Sequence, residues 1–242
     1  MRIALVTLAM VQGGRYGMRV PLAIVVVGVD GWKEYTKPAI DSILQHEPEV
    51  HIVVVDAGSK RAYSSESDSG AFVAPELGSQ ADVDYIRIDP SFSYAGAINA
   101  GMKLADADWT LILNNDTLCD GPFAKLFPID PRLLCGMQLI EFGDLRWLGG
   151  WIYAISRECW ELVGPFDEQF ELCGFEDLDY CIRARAAGFS VVLRKMPFRH
   201  LWGKTRWGLP SYPEVREQNR KRVEAKHGIS IGESWMWRVS EA

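Results

Sequence analysis

Two groups of carboxylates in this chain have the residue types and spacing for catalysis. Asn114-Asn115-Asp116 directly follows the apolar run Leu111–Leu113, and a carboxylate at the end of a buried strand suits a hard divalent cation, which prefers oxygen ligands. Glu176, Asp177 and Asp179 lie within four residues of one another. Acidic residues in a first helical turn stabilise the helix dipole. Three acidic residues are more than the capping of one helix requires. A carboxylate among them that is desolvated could act as a general base.

Other polar clusters follow predicted strands. Gly28–Trp32 and Asp56–Ser59 each come after an apolar run, as Asn114-Asn115-Asp116 does. Such residues are also common in turns, but three clusters at the carboxyl edge of one sheet favour a ligand site. His200 precedes the loop Leu201–Gly208, which mixes glycine, tryptophan and two cations. That composition suits a lid over a diphosphate.

Composition disfavours several classes of protein. The chain has 242 residues, of which 26 are basic and 32 acidic, so its net charge is −6. A general nucleic-acid-binding surface usually has a positive balance. The five cysteines form no C-x-x-C pair, which favours free thiols in a reducing compartment over zinc or disulfides. No apolar run reaches the roughly 18 residues of a membrane span, so we expect a cytoplasmic protein, at most peripheral at a membrane.

Hydrophobic periodicity predicts strands that alternate with helices. The predicted strands are Leu22–Val29, His51–Val55, Tyr85–Ile88, Trp109–Leu113, Leu133–Glu141, Trp151–Ser156 and Ser190–Arg194. The predicted helices are Glu34–Gln45, Ala95–Ala105, Arg157–Val163, Asp177–Ala187 and Pro213–His227, with Trp147–Gly150 as a loop. This alternation indicates an α/β fold with a mostly parallel central sheet flanked by helices.

The chain is predicted to contain one domain, because no linker or internal repeat interrupts it. We expect residues 22–228 to form that domain. Residues 1–21 are predicted to be an N-terminal extension, either an edge strand or in part disordered, and residues 229–242 a C-terminal tail.

The order of the motifs resembles that of the inverting family-2 glycosyltransferases with the GT-A (nucleotide-diphospho-sugar transferase) fold, especially the rhamnosyltransferase-like branch. Val53–Ser59 is similar to the V-D-N/D-G-S segment of that family, with Ala57 as a departure. Phe92–Gly101 resembles its helix start beside the donor, and Leu113–Thr117 its D-x-D-type metal motif in an N-N-D form. A block of the form G-G-F-D-E followed by G-E-D-x-D-L-C-x-R is matched by Gly164–Glu168 and Gly174–Arg183, with Pro165 as a departure.

The resemblance implies a metal-dependent inverting transfer of a hexose from a nucleotide-diphospho-sugar (UDP-, dTDP- or GDP-sugar) to an acceptor hydroxyl. It implies that Asp116 and His200 hold Mg²⁺ or Mn²⁺, and that Asp177, with Glu176 second, is the catalytic base. The resemblance and the strand-end positions together predict donor contacts at Gly28, Asp30, Asp56, Ser59, Asn99, Asn114, Asn115, Lys204 and Arg206.

The sequence does not identify the acceptor substrate. Aromatic rings can stack on sugars, so Trp151, Trp202 and Trp207 are candidate acceptor contacts, although core or homodimer contacts also explain tryptophans. A saccharide, a lipid-linked saccharide, a protein side chain or a modified nucleobase would each fit. The basic stretch Arg216–Lys226 is predicted to be a solvated helix face, with an anionic lipid surface or nucleic acid as other readings.

Two other functions remain possible from the sequence. A nucleotidyltransferase also combines a parallel sheet with a divalent metal, but it usually has a glycine-rich basic loop after the first strand, where this chain has Gly28–Lys33. A non-catalytic sugar- or protein-binding module could retain the same fold. The presence of Asp56, Asp116, Asp177 and His200 argues against such a module.

Overall fold

The structure is a computed structural model that describes residues 19–60, 82–88, 93–127, 129–201, 211–232 and 237–242. Four predicted site residues, Lys204, Arg206, Trp202 and Trp207, lie outside the described residues, as do the first 18 residues of the predicted extension. Among the helices in the described ranges, none combines the length and apolarity needed to cross a bilayer.

A seven-stranded sheet forms the centre of the fold. Its strands, in the order in which they lie side by side, are Ser190–Leu193 (β10), Leu133–Gly136 (β6), Ile152–Ser156 (β9), Ala107–Asn114 (β4), Val20–Gly28 (β1), His51–Asp56 (β2) and Val83–Arg87 (β3). Neighbouring strands are parallel except at β9, which runs antiparallel to β4 and β6. The predicted α/β class with a mostly parallel sheet is therefore confirmed.

Helices form at the predicted places. They are Lys37–His46 (α1, preceded by a π-helical turn at Trp32–Thr36), Tyr94–Ala105 (α2), Arg157–Val163 (α3), Glu176–Ala186 (α4) and Tyr212–His227 (α5), with a short 3-10 turn at Ala124–Leu126. When the π-helical turn is counted with α1, the observed ends differ from the predicted ones by no more than two residues.

Strand β1 is buried on both faces, as its unbroken apolar run predicts. Val25 and Val27 belong to the core on the side of α2, whereas Ile24 and Val26 belong to the core on the side of α1. The small residues of α2 allow it to lie close to the sheet. A Cβ at Gly101, for example, would be 2.4 Å from Val25 Cγ1.

The second half of the chain departs from the prediction, first of all around the strands β6 to β8. Leu133–Glu141 is not one strand: β6 ends at Gly136, and the next strand, Gln138–Phe142 (β7), belongs to another sheet. The predicted loop Trp147–Gly150 is wrong in its first half, because Leu145–Leu148 (β8) forms a hairpin with β7 and buries the Trp147 ring.

Part of the predicted C-terminal tail, residues 229–242, also forms a strand. Arg238–Glu241 (β12) pairs antiparallel with β7 and completes a three-stranded sheet in the order β12-β7-β8. The short strands Thr117–Cys119 (β5) and Phe198–His200 (β11), neither of which was predicted, form a separate antiparallel pair. In that pair His200 lies opposite Thr117, directly beside Asp116.

The sheet topology determines where a ligand can lie. The chain runs outward from β1 through β2 to β3 and then returns to β4 on the other side of β1. Strand order thus reverses between β1 and β4, and in open α/β sheets ligands bind in the crevice beyond the carboxyl ends of strands at such a point. Gly28 and Asn114 are the last residues of these two strands.

Candidate active site

A cavity of about 400 Å³ opens at this crevice. It collects most of the described residues that the sequence predicted at a site. Those that line it are Gly28, Asp30, Asn114, Asn115, Asp116, Trp151, Glu176, Asp177 and His200. Residues from both halves of the chain therefore face one cavity.

Asn115 and Gly28 form one wall of the cavity as a tightly packed pair. The Asn115 amide is buried, and its Nδ2 donates to Thr36 Oγ1 at 3.0 Å and to the Asp30 carbonyl oxygen at 3.3 Å. A Cβ at Gly28 would lie 2.5 Å from Asn115 Cγ, so only glycine fits there without displacing the amide. The Asn115 side chain thus stabilises the wall from within the protein.

Asp116 and His200 are a buried pair at the carboxyl end of β4. Asp116 Oδ1 lies 3.0 Å from His200 Nε2. The Trp151 ring stacks on the imidazole with ring centroids 4.9 Å apart and an interplanar angle of 3°. The Asp116 carbonyl oxygen accepts from the Leu201 N–H at 2.8 Å. The β5–β11 pairing and the stacked indole therefore fix the position of the imidazole beside the carboxylate.

The Asp116–His200 pair fits a divalent cation by the chemistry of its donors. A carboxylate oxygen and an imidazole nitrogen both ligate such ions. Among the described residues no group of three or more His, Cys, Asp or Glu side chains is close enough to hold a metal. A cation at this pair would therefore need further ligands, such as water or phosphate oxygens, which is typical of Mg²⁺ at nucleotide sites.

Glu176 and Asp177, the carboxyl pair, begin α4 on the other side of the cavity. Burial raises the pKa of both carboxyls, and the charge of Asp177 raises the pKa of Glu176 further. Glu176 Oε2 accepts from the Gly174 N–H, and Asp177 Oδ1 accepts from the Leu178 N–H at 2.8 Å. Carboxyls with raised pKa values in a cavity are candidates for proton transfer near neutral pH.

The backbone that leads to the carboxyl pair has an unusual conformation. Leu172 has φ 48°, Gly174 φ 109° and Phe175 φ 72°. Left-handed conformations of non-glycine residues cost free energy and cluster at functional sites. Here they turn the chain so that the first two side chains of α4 face the cavity.

Helix α5 supports this segment from outside, so the predicted solvated face is wrong for part of the basic stretch. The Arg216 guanidinium lies 5.0 Å from the centroid of the Phe175 ring, and Lys226 Nζ lies 2.7 Å from Asp179 Oδ1. Lys221, by contrast, is 70% exposed. The positive charge of Arg216 also lowers the pKa of Asp177, against the larger effect of burial. No sequence motif marks Arg216 as part of the site.

Asp56 and Ser59, which were predicted at the donor, do not line the described cavity. The Asp56 carboxylate is fully buried and accepts from the Tyr85 hydroxyl at 2.9 Å and from Arg87 Nη1 at 2.6 Å. Ser59 Oγ accepts from the Asp30 N–H at 2.7 Å. Both side chains therefore hold the loop after β2 against neighbouring elements, and their direct contact with a donor stays a prediction.

Asn99 also lies away from the described cavity. It is buried within α2, where its Nδ2 donates to the Phe166 carbonyl oxygen and its Oδ1 accepts from the Phe166 N–H, each at 2.9 Å. Its Nδ2 also lies 2.9 Å from Glu168 Oε1. The amide joins α2 to the segment after α3, and its contact with a donor stays a prediction.

Comparison with known proteins is consistent with this architecture. Residues 24–126 match the family described as Glycosyl transferase family 2, a range that contains Asp116 but ends before His200 and the carboxyl pair. No curated protein sequence matches the chain.

Three solved structures illustrate the structural similarity. GalNAc-T7 with UDP, GalNAc and Mn²⁺ has a TM-score of 0.64 at 12% identity over 86% of this chain and 48% of that one. The mannosyltransferase PcManGT from Pyrobaculum calidifontis, in complex with GDP-Man and Mn²⁺, has a TM-score of 0.64 at 18% identity over 90% and 66%. S. aureus TarS 1-349 in complex with UDP-GlcNAc has a TM-score of 0.57 at 13% identity over 89% and 69%.

These similarities establish the GT-A fold for this chain. The chain spans roughly half to two thirds of the length of these structures, with 48%, 66% and 69% of each covered.

Proposed function

We propose that this chain is a metal-dependent, inverting glycosyltransferase that moves a hexose from a nucleotide-diphospho-sugar to an acceptor hydroxyl. The observation that carries the proposal is the presence of two chemically different pairs on one cavity, Asp116 with His200 and Glu176 with Asp177. The first pair suits the leaving diphosphate, and the second suits the attacking hydroxyl. The family match and the GT-A fold support the same reaction class.

On the donor side, Asp116 and His200 would hold Mg²⁺ or Mn²⁺. The cation would supply positive charge against the negative charge that develops on the leaving diphosphate. Asn114, Gly28 and Asp30 would contact the donor from the ends of β4 and β1. Lys204 and Arg206, outside the described residues, stay candidates for the diphosphate.

On the acceptor side, Asp177 would accept the proton of the attacking hydroxyl as general base. The hydroxyl oxygen forms a bond to the anomeric carbon while the bond from that carbon to the diphosphate oxygen breaks. The nucleoside diphosphate leaves, and one displacement inverts the configuration. Glu176 is the second candidate for the base. The charge of Arg216 favours Asp177 over Glu176 as the general base, because it lowers the pKa of the Asp177 carboxyl.

The tryptophans differ in what they can contribute. Trp151 stacks on His200, so we propose that it orients the imidazole rather than providing that ring face to an acceptor. Trp202 and Trp207 stay candidates for acceptor contacts. The acceptor class stays open among saccharides, lipid-linked saccharides, protein side chains and modified nucleobases.

A thermal-shift panel of nucleotide-sugars with Mn²⁺ tests the proposal and identifies the donor. The panel should contain UDP-, dTDP- and GDP-sugars, including dTDP-rhamnose because of the resemblance to rhamnosyltransferases. A ligand at 100 times its Kd stabilises the folded state by about 2.7 kcal/mol, which for a chain of this size is a rise in Tm of roughly 5–10 °C. We expect one donor to give such a shift and to release nucleoside diphosphate slowly.

The products distinguish the proposal from its rivals. Release of nucleoside diphosphate supports a glycosyltransferase, whereas formation of pyrophosphate from a nucleoside triphosphate and a sugar phosphate would indicate a nucleotidyltransferase. Binding of a donor without turnover, in the presence of a broad set of acceptors, would indicate a binding module.

Replacement of Arg216 with glutamine should move the pH dependence of turnover. Removing the cation raises the pKa of Asp177, and a base with a higher pKa loses its proton only at higher pH. The acid limb of the kcat–pH profile should therefore shift upward in pH. Lys221→Gln, which removes the same charge from an exposed position of α5, is the matched control. An acid limb of Arg216→Gln that coincides with that of Lys221→Gln would exclude this effect on the base.

A further inference from the structure

Tyr94 lies in the segment Phe92–Gly101 that resembles the helix start beside the donor, although it was not predicted as a site residue. It enters the candidate active site from the first position of α2. Ser93 Oγ caps this helix by accepting from the Gly96 N–H at 3.1 Å. The Tyr94 N–H donates to the Leu172 carbonyl oxygen at 2.6 Å. The backbone of Tyr94 is therefore anchored to the segment that precedes the carboxyl pair, and its side chain lines the cavity.

The hydroxyl of Tyr94 lies between the two sides of the cavity. It donates to Asn114 Oδ1 at 2.5 Å and lies 3.1 Å from the Gly150 carbonyl oxygen. Asn114 is the last residue of β4 and directly precedes the turn that carries Asp116. Gly150 adjoins the carboxyl pair, since a Cβ there would be 3.5 Å from Asp177 Oδ2. One hydroxyl thus connects the turn of Asp116 with the loop that contacts Asp177.

The surroundings of Tyr94 keep this hydroxyl protonated. Burial raises its pKa well above the ordinary value, and the neighbouring acidic groups Glu176, Cys173, Asp116 and Asp177 raise it further when they are ionised. The hydroxyl therefore remains a hydrogen-bond donor over the whole pH range in which an enzyme would work. Asn114 Oδ1 and the Gly150 carbonyl oxygen therefore have this hydrogen-bond donor between them at every working pH.

We infer that Tyr94 is a positioning residue whose hydroxyl fixes the spacing between Asp116 and Asp177 across the cavity. The inference rests on the proposed glycosyl transfer. Its physical basis is that in-line displacement requires the leaving group and the base to be held at a fixed separation, and that a misplacement of about 1 Å can cost about 10²-fold in rate. Loss of the hydroxyl should then affect the chemical step more than the binding of the donor.

The test is Tyr94→Phe, which removes one oxygen and keeps the ring. Tyr153→Phe is the matched control, because the Tyr153 hydroxyl is also buried and donates to a backbone carbonyl, that of Leu148, at 3.3 Å, but does not line the cavity. We expect kcat of Tyr94→Phe to fall about 10- to 100-fold. The donor KM should stay within about threefold of wild type, and the unfolding midpoint should be close to that of Tyr153→Phe.

A double-mutant cycle with Asn114→Ala separates positioning from general packing. If the Tyr94 hydroxyl acts through Asn114, the double variant should be about as slow as the slower single variant, because both changes remove the same interaction. Independent effects would instead multiply. The readout is the rate of nucleoside diphosphate release at saturating donor.

Two results would overturn the inference while leaving the proposed function intact. In the first, wild-type protein turns over a donor and Tyr94→Phe keeps kcat within twofold of it. In the second, the losses in the cycle multiply. A wild-type protein that releases nucleoside diphosphate from no donor would instead refute the proposed function, and this inference with it.

Discussion

Replacing Asp177 with asparagine is expected to lower the rate of sugar transfer by a factor of about 10³ or more, in the upper part of the range for loss of a general base. Donor affinity should stay within about threefold of wild type. Asparagine has the shape of aspartate and can still accept from the Leu178 N–H, but it cannot take a proton from the acceptor. The measurement is steady-state release of nucleoside diphosphate, with donor affinity determined by calorimetry.

The comparison variants identify which carboxyl is the base. Glu176→Gln should lower the rate less than Asp177→Asn does, because Glu176 is the second candidate. Asp144→Asn, at an exposed position of the β7–β8 turn, controls for the loss of one negative charge and should leave turnover unchanged. Turnover of Asp177→Asn within tenfold of wild type would remove Asp177 from the role of base, and a larger loss in Glu176→Gln would transfer that role.

Replacing Asp116 with asparagine should remove the metal dependence of donor binding. The neutral amide is a much weaker ligand for a hard cation than a carboxylate. With Mn²⁺ present, we expect donor affinity to fall at least about tenfold and kcat to fall by about 10² to 10³, the usual size of an electrostatic contribution to a developing charge.

Chelation provides the internal control for this second prediction. In EDTA, wild type and Asp116→Asn should bind the donor equally weakly, and only wild type should gain affinity when Mn²⁺ is restored. His200→Ala should show the same pattern to a smaller degree. Wild-type turnover that continues unchanged in metal-free buffer would remove the cation from the mechanism.

The central sheet could be predicted from the sequence because its signals are local. β1, β2 and β4 each contain an apolar run, namely Leu22–Val27, Ile52–Val55 and Leu111–Leu113. Glycine or polar residues follow each run and mark the carboxyl edge of the sheet. The candidate site follows from the same signals, since Asn114 and Gly28 end the two strands between which strand order reverses. The first turn of α4 could likewise be predicted from the sequence, because three carboxylates lie there within four residues.

The contacts that the sequence could not predict join residues far apart in the chain. His200 meets Asp116 across 84 residues through a pairing of two three-residue strands, which are too short to show periodicity. Asp56 and Asn99 carry polar groups suited to a ligand but use them on other parts of the protein. Arg216 looked like one cation among several on a charged helix, because nothing in the local pattern indicates that it packs on Phe175.

The most direct test of the account is a crystal structure of the protein with the donor from the thermal-shift panel and Mn²⁺, with the metal located by anomalous scattering. We predict one Mn²⁺ bound to Asp116 and His200 and to oxygens of the diphosphate, with the anomeric carbon between that ion and the Asp177 carboxylate. A manganese ion bound elsewhere, or a sugar directed away from the Glu176–Asp177 pair, would contradict the account.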